Sequence, residues 1–351
     1  MRERMNVDII ERLENALSAI PFLQIQYQKQ KAMRNVVNSL IPVIIGAIYF
    51  FGWRSLLILL LSIVSCVVTE WLFVRNKKPG KVSEAVFVTA ILYGLVLPPT
   101  IPLFMVVLGA VFGILFGKMA FGGFGMNIFN PALVARAFVY ITFPVHSTNR
   151  WVAAAGLKDF PGGLFSWLYS GDSVSAMTSA TPLSAFRDGA STLPSLWQLF
   201  FGSIHGQFDK LGEMVSIGGG SVGETSVLLI MAGGLYLVYK NVANRKIVTS
   251  YFISFFIFQT LFNMAFPDKV SNPLFGLFAG GVVFAGFYMA TDPITASRTE
   301  LGKIICPALI ALLTILIRSF SLFAGGVMFA ILLTNTFTPI IDYAINSIQK
   351  K

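Results

Sequence analysis

Ten apolar stretches, each about as long as a bilayer is thick, leave this chain few ways to fold. A membrane-crossing helix needs roughly 20 mostly apolar residues, and in hydrocarbon only a helix or a closed barrel satisfies all of its own backbone amides. Such stretches lie at about 36–52, 55–74, 83–99, 101–121 and 127–145, and again at about 224–240, 247–267, 272–290, 301–317 and 320–343. Residues 146–223, between the two groups, are too polar and too rich in Gly, Ser and Pro to cross. The composition agrees: 55% of the 351 residues are hydrophobic and 12% are charged, against about 25% charged in soluble domains. Mean hydropathy is +0.74. The expected fold class is therefore an all-α polytopic membrane protein of ten transmembrane helices in two five-helix inverted halves. Its parts are an N-terminal cytoplasmic amphipathic segment (1–35), a first half (36–145), an extracytoplasmic loop (146–223), a second half (224–343) and a cytoplasmic tail (344–351). In the first segment Ile9, Ile10, Leu13, Leu17 and Ile20 recur at helical spacing, which reads as a helix on the membrane surface or on a partner. No cleavable signal peptide is read there.

The sides follow from lysine and arginine, which favour the cytoplasmic connections. With the N-terminus inside, eighteen of them (among them Arg34, Lys77, Lys118, Lys240, Arg298 and Lys303) fall on inner segments. The short outer loops hold three: Arg54, Lys269 and Arg318. Both termini are thus expected inside and the long loop outside. Five crossings per group is an odd number, so the halves face opposite ways, as in inverted repeats. Leu97-Pro98-Pro99 and Asn130-Pro131 in the first half have counterparts in Thr291-Asp292-Pro293 and Thr338-Pro339 of the second. The net charge of +10 sits beside apolar spans and follows from insertion, with no basic, aromatic-interleaved soluble region to suggest nucleic acid.

Four stretches carry candidate chemistry. The loop sequence GDSVSAMTSATPLSAFRD (171–188) is dense in hydroxyls. Thr181 precedes Pro182, which biases it to extended backbone and so to presenting its hydroxyl. The run GGFGMNIFNPA (122–132) has glycines that let backbone approach a ligand. Its Asn127 and Asn130 amides, three residues apart, offer donors and an acceptor to a heterocycle edge such as an isoalloxazine. Phe121, Phe124 and Phe129 are placed to stack on such a ring. Arg136 falls inside an apolar span, where a charge faces a partner or a cavity; Glu70 and Asp342 are its candidate partners. Asp292, in MATDPITAS, is suited to capping a broken helix, holding an ion or bonding a cofactor. GGGSVGETS (218–226) lacks the lysine of a nucleotide loop, so nucleoside triphosphate binding is rejected. Cys66 and Cys306 lie in apolar spans, and His146 and His205 in the loop, in no metal-ligand spacing.

Taken in order, MRNVVNSLIPVIIGAIYFFG, GGFGMNIFNPALVARAF, TSATPL, GGGSVGETS and MATDPITA resemble the family that unites the D subunit of the Rnf electron-transport complex with the B subunit of the sodium-translocating NADH:quinone reductase. The likeness runs from about Met33 to Asp342 and is nearer to the Rnf D subunit. It implies an inner-membrane flavoprotein. Thr181 matches the threonine that receives FMN through a phosphoester in an S-x-A-T motif, with Ser179 and Ala180 before it. A non-covalent riboflavin is implied near Asn127, Asn130, Pro131 and Asp292. Electron flow between flavins is implied to be coupled to Na+ or H+ movement. The implied partners are the other subunits of the complex, above all the other covalent-flavin subunit and the membrane iron–sulfur subunits, together with membrane lipid. The motif departs from the family at Ser175, where an aspartate is usual, while Asp172 stands nine residues before Thr181. The rival readings are the B subunit of the quinone reductase in the same fold, and a flavin-free channel or transporter for a small solute.

Overall fold

The computed structural model describes residues 25–76, 80–148, 150–169, 179–210, 213–321, 323 and 326–349. The amphipathic spacing expected before residue 25, and Asp172, Ser173, Ser175 and Thr178, lie outside the described residues.

The first group of helices comprises α1 (Lys31–Phe51), α2 (Trp53–Val74), a short α3 (Ala85–Leu95), α4 (Leu103–Gly117) and α5 (Pro131–Thr142). A 3-10 turn prolongs α4 to Phe121. Two-residue strands β1 (Tyr27–Gln28) and β2 (Val82–Ser83) pair in parallel and tie the entries of α1 and α3 together. The polar region contains α6 (Pro144–Thr148), α7 (Pro182–Arg187), α8 (Leu196–Phe201) and the antiparallel hairpin β3–β4 (Gly206–Lys210, Glu213–Ile217). The second group comprises α9 (Val227–Tyr239), α10 (Arg245–Ala265), α11 (Pro273–Phe278), α12 (Val282–Tyr288), α13 (Gly302–Phe320) and α14 (Val327–Gln349).

Six of these helices are long and apolar enough to cross a membrane, namely α1, α2, α4 with its extension, α10, α13 and α14. Four of the ten expected stretches are shorter or broken. The 83–99 stretch is helical only over α3, because Pro98 and Pro99 cannot extend it. The 127–145 stretch becomes the 12-residue α5, whose N-terminus Asn130 and Pro131 set. The 224–240 stretch becomes the 13-residue α9, so Glu224 precedes the helix instead of occupying its first turn. The 272–290 stretch divides into α11 and α12 at Ala279–Gly281. At that division Gly280 has φ +71°, and a Cβ there would meet Leu183 Cδ1 at 2.9 Å and Arg318 Nη2 at 3.1 Å. Pro339 does not interrupt its helix, for α14 runs through it to Gln349, beyond the expected tail boundary.

Side-chain pattern explains the packing. Along α1 the buried residues Met33, Val36, Leu40, Val43, Ala47 and Phe50 recur every three or four positions. Ile41 and Ile45 on the opposite face are exposed, as are Leu60, Val64, Phe256 and Leu261 elsewhere, which is the surface a lipid-facing helix presents. Small residues let helices close up: a Cβ on Gly113 of α4 would stand 2.5 Å from Ala135 Cβ of α5. The two groups make matching internal pairings. In the first, α2 packs on α3 and α4, α4 on α5, and α1 on α3. In the second, α10 packs on α11 and α13, α13 on α14, and α9 on α12. Between groups, first helix meets first (α1 with α9) and last meets last (α5 with α14).

One buried ion pair fastens the first group. Lys118 Nζ reaches Glu70 Oε2 at 2.6 Å and Ser83 Oγ at 2.6 Å, with both charged side chains at most 3% exposed. The sequence places Lys118 among the inner loop charges, and the fold moves it off the surface into this cluster.

Candidate functional site

Two cavities collect the seven residues that the family resemblance marks for cofactor binding. The outer cavity is a wide cleft of about 2140 Å³ including its open mouth, and Ser179, Ala180 and Thr181 line it. The inner cavity is a narrow cleft, and Asn127, Asn130, Pro131 and Asp292 line it.

In the outer cavity, Thr181 is extended (φ −75°, ψ 154°), as its place before Pro182 requires. It is the N-cap of α7: its Oγ1 accepts from Ser184 N at 3.2 Å and lies 2.9 Å from Ser184 Oγ. The residue presents its hydroxyl from a half-buried position in the cleft wall. The backbone beneath it is pinned. Ala180 N donates to Ser216 O at 2.8 Å, Ala180 O accepts from Gly218 N and Gly219 N at 3.1 Å, and Ser179 N donates to Trp151 O at 3.2 Å. A loop hydroxyl is thereby held on a rigid base formed by the end of β4.

Two polar groups on this wall have no hydrogen-bond partner among the described residues. Ser179 is 2% exposed and its Oγ is unpaired; so is the buried Nε of Arg318. An orphaned buried polar group costs about 1–3 kcal/mol, so two of them on residues of one cleft wall call for an explanation. Arg136 also faces the cleft. Its partner is Glu224, at 3.0 Å between Nη1 and Oε1, with Ser221 Oγ at 3.4 Å. That corrects the expectation of Glu70 or Asp342. Glu70 belongs to Lys118, and Asp342 accepts from Ser297, Thr299 and Arg298 N.

In the inner cavity, Asn130 caps α5 by accepting from Ala132 N at 3.0 Å and Leu133 N at 3.4 Å. Asn127 donates to Phe129 O at 3.1 Å from a loop, so the two amides share the cavity without sharing the helical turn expected of them. Asp292 Oδ1 accepts from Ile294 N at 3.1 Å and Oδ2 from Thr295 Oγ1 at 3.3 Å. Phe124 lines the cavity, while Phe121 and Phe129 pack on each other at 6.0 Å. The sequence reading missed Lys118, Tyr288 and Thr291 on this wall, and Arg318 and Ser221 on the outer one. A lone arginine in the last turn of an apolar helix was the signal available for Arg318.

Two helices connect the cavities. Asn130 and Arg136 are six residues apart on α5, a rise of about 9 Å. Gly281 and Tyr288 bound α12, a rise of about 10 Å. Leu133, Ala285 and Met289, all buried, fall between. Among the described residues no group of three His, Cys, Asp or Glu is placed to hold a metal ion.

Comparison with known proteins gives concordant matches. The family model described as "NQR2, RnfD, RnfE family" matches residues 16–350. The chain is 32% identical over 346 residues to the D subunit of the ion-translocating oxidoreductase complex of Aliivibrio salmonicida (strain LFI1238), covering 93% of this chain and 95% of that protein. The protein of the same description from Cronobacter sakazakii (strain ATCC BAA-894) is 34% identical over 346 residues, covering 93% and 96%. That of Alcanivorax borkumensis is 33% identical over 337 residues, covering 93% and 94%.

Proposed function

The chain belongs to the NQR2, RnfD, RnfE family, and from that premise we propose that it is the membrane redox subunit of an Rnf-type ion-translocating oxidoreductase complex. In this reading Thr181 carries FMN through a phosphoester, the inner cavity holds a non-covalent riboflavin, and electron relay between them is coupled to Na+ or H+ translocation. The observation that carries the reading is the outer cleft: a threonine hydroxyl fixed on pinned backbone, beside the orphaned Ser179 Oγ and Arg318 Nε. Those groups fit a phosphorylated, polar-edged ligand. When bound, the flavins would supply the electron transfer, and the protein supplies position and electrostatics.

The protein's own part divides between the two walls. Thr181 offers the attachment oxygen, and the β4 edge fixes its direction. Asn127, Asn130 and Asp292 line the inner cleft with amide and carboxylate groups, and Phe124 with an aromatic face. Tyr288 Oη donates to Ser39 O at 3.2 Å and holds α1 against α12 at the edge of that cleft. The short separation along α5 and α12 suits a relay, and the buried Leu133, Ala285 and Met289 lie in the interval. In the same reading α3, α5, α9 and the broken α11–α12 serve as the shorter crossings of a ten-helix, five-plus-five inverted repeat. The matched pairings support it, and in such repeats broken helices surround the central site. The lysine and arginine bias sets both termini in the cytoplasm and the Thr181 region outside.

Two experiments test the assignment. Membranes containing the complex should show ferredoxin:NAD+ oxidoreductase activity that Thr181→Ala abolishes; activity that is NADH:quinone instead assigns the chain to the sister complex. For the sides, Ser191→Cys on the exposed loop beyond α7 should react with a membrane-impermeant maleimide on intact cells. Labelling of Ser191→Cys only after lysis refutes the orientation.

A further inference from the structure

Arg318 is an arginine near the end of an apolar helix, yet among the described residues it is in no ion pair. Its Nη1 donates to Gly276 O at 3.1 Å and Ala279 O at 3.4 Å, carbonyls that the division between α11 and α12 leaves without helical partners. Its Nε is buried and unpaired, and the residue lines the outer cleft. The other cleft arginine inside a span, Arg136, has its charge offset by Glu224. Glu224 borders the same small pocket as both arginines, so among the described residues two guanidinium groups share one carboxylate there and the cleft floor keeps one positive charge in excess. The element bearing Thr181 rests directly on Arg318. Leu183 Cδ1 and Arg318 Nη2 both lie close to Gly280, 2.9 Å and 3.1 Å from where a Cβ would be, and Arg187 Nη2 donates to Arg318 O at 3.4 Å.

We infer that Arg318 is an electrostatic tuning residue for the flavin that the proposed function places on Thr181, stabilising the negative charge its ring acquires on reduction. The inference rests on that reading and adds a role for a residue outside the attachment motif. Uptake of two electrons and one proton converts a neutral oxidised ring to a reduced ring with one negative charge. A fixed cation whose guanidinium is buried in the cleft wall favours that product and raises the midpoint potential. Glycine at 280 is what lets the guanidinium approach, since any side chain there would stand against Nη2.

The test is a spectroelectrochemical titration of the intact purified complex, with dithionite as electron source. The Thr181→Ala complex identifies which wave belongs to this chain. Fluorescence of the denatured chain on a gel first establishes that flavin is attached in each variant. Arg318→Gln should move that wave to more negative potential, and Arg318→Lys, which keeps the charge, should restore most of the shift. Glu224→Gln removes a negative charge at the same cleft and should move the wave the opposite way, which keeps the inference testable if Arg318→Gln does not assemble. Variants that carry the flavin with the wave unmoved overturn the role of Arg318 and leave the attachment at Thr181 standing. A wild-type chain without attached flavin overturns the attachment itself, and the inference with it.

Discussion

Replacing Lys118 by methionine should be the most damaging single change in the first half of the bundle. Its ammonium is 2% exposed and makes two bonds of 2.6 Å, to Glu70 Oε2 and Ser83 Oγ. Methionine fills the same volume and leaves the Glu70 carboxylate with only Ser83 N at 3.0 Å and Ser83 Oγ at 2.8 Å. Breaking a buried pair from one side costs about 3–5 kcal/mol, whereas exchanging both partners for apolar residues is close to neutral. Lys118→Met should therefore lose about 3–5 kcal/mol, Glu70→Met a similar amount, and the double variant much less than the sum of the two. Reversible unfolding in mixed detergent–SDS micelles measures all three in one double-mutant cycle. Additive losses, or a Lys118→Met variant within about 0.5 kcal/mol of wild type, would refute a desolvated pair at this place. Lys118 also borders the inner cavity, with its Nζ 5.9 Å from the Phe124 ring centroid. If the inner cavity holds the proposed riboflavin, the same variant should lower the amount recovered with the purified complex.

Further expectations can be checked alongside. Asn130→Ala removes the α5 cap, worth about 0.5–2 kcal/mol, and should deplete non-covalent flavin in the purified complex while leaving covalent flavin attached. Gly113→Val drives a side chain into Ala135, so α4 and α5 must separate; overpacking of this kind costs about 1–3 kcal/mol, read as lost stability in the micelle assay. The Glu300 carboxyl is held down from 4.5 to about 2, chiefly by its bonds to Lys246 and Lys303. A depressed acid contributes stability above its unfolded value and loses it as pH falls from 4.5 towards 2, so Glu300→Gln should flatten the pH dependence of stability in that window and change little at neutral pH.

The hydrophobic pattern made the membrane class legible because a bilayer imposes one length on every crossing. It could not tell an unbroken helix from a short or divided one. Residues 83–99 and 272–290 read as continuous apolar runs, yet Pro98-Pro99 and Gly280 end or divide their helices, and the runs look unbroken only because a cavity wall is as apolar as lipid. Local rules served Thr181 well, since the conformation before a proline is a property of neighbouring residues; the N-cap preference of Asn130 is equally local, but its spacing from Asn127 was read as a shared helical turn instead. Partners distant in sequence were out of reach. Arg136 meets Glu224 and Lys118 meets Glu70 across 88 and 48 positions, and charge type alone offers several equivalent acids. Arg318 reads as an outer-loop charge because the sequence does not reveal that the broken ends of α11 turn towards it.

The covalent state of one residue decides between a flavin relay and a flavin-free membrane subunit. Trypsin should release residues 159–187 as a single peptide bearing Thr181, and mass spectrometry of that peptide from native membranes reports its state directly. The expected result is the added mass of FMN less water, with fragmentation placing it on Thr181 and not on Ser179 or Ser184. An unmodified peptide recovered from membranes in which the complex is assembled and active would contradict the relay.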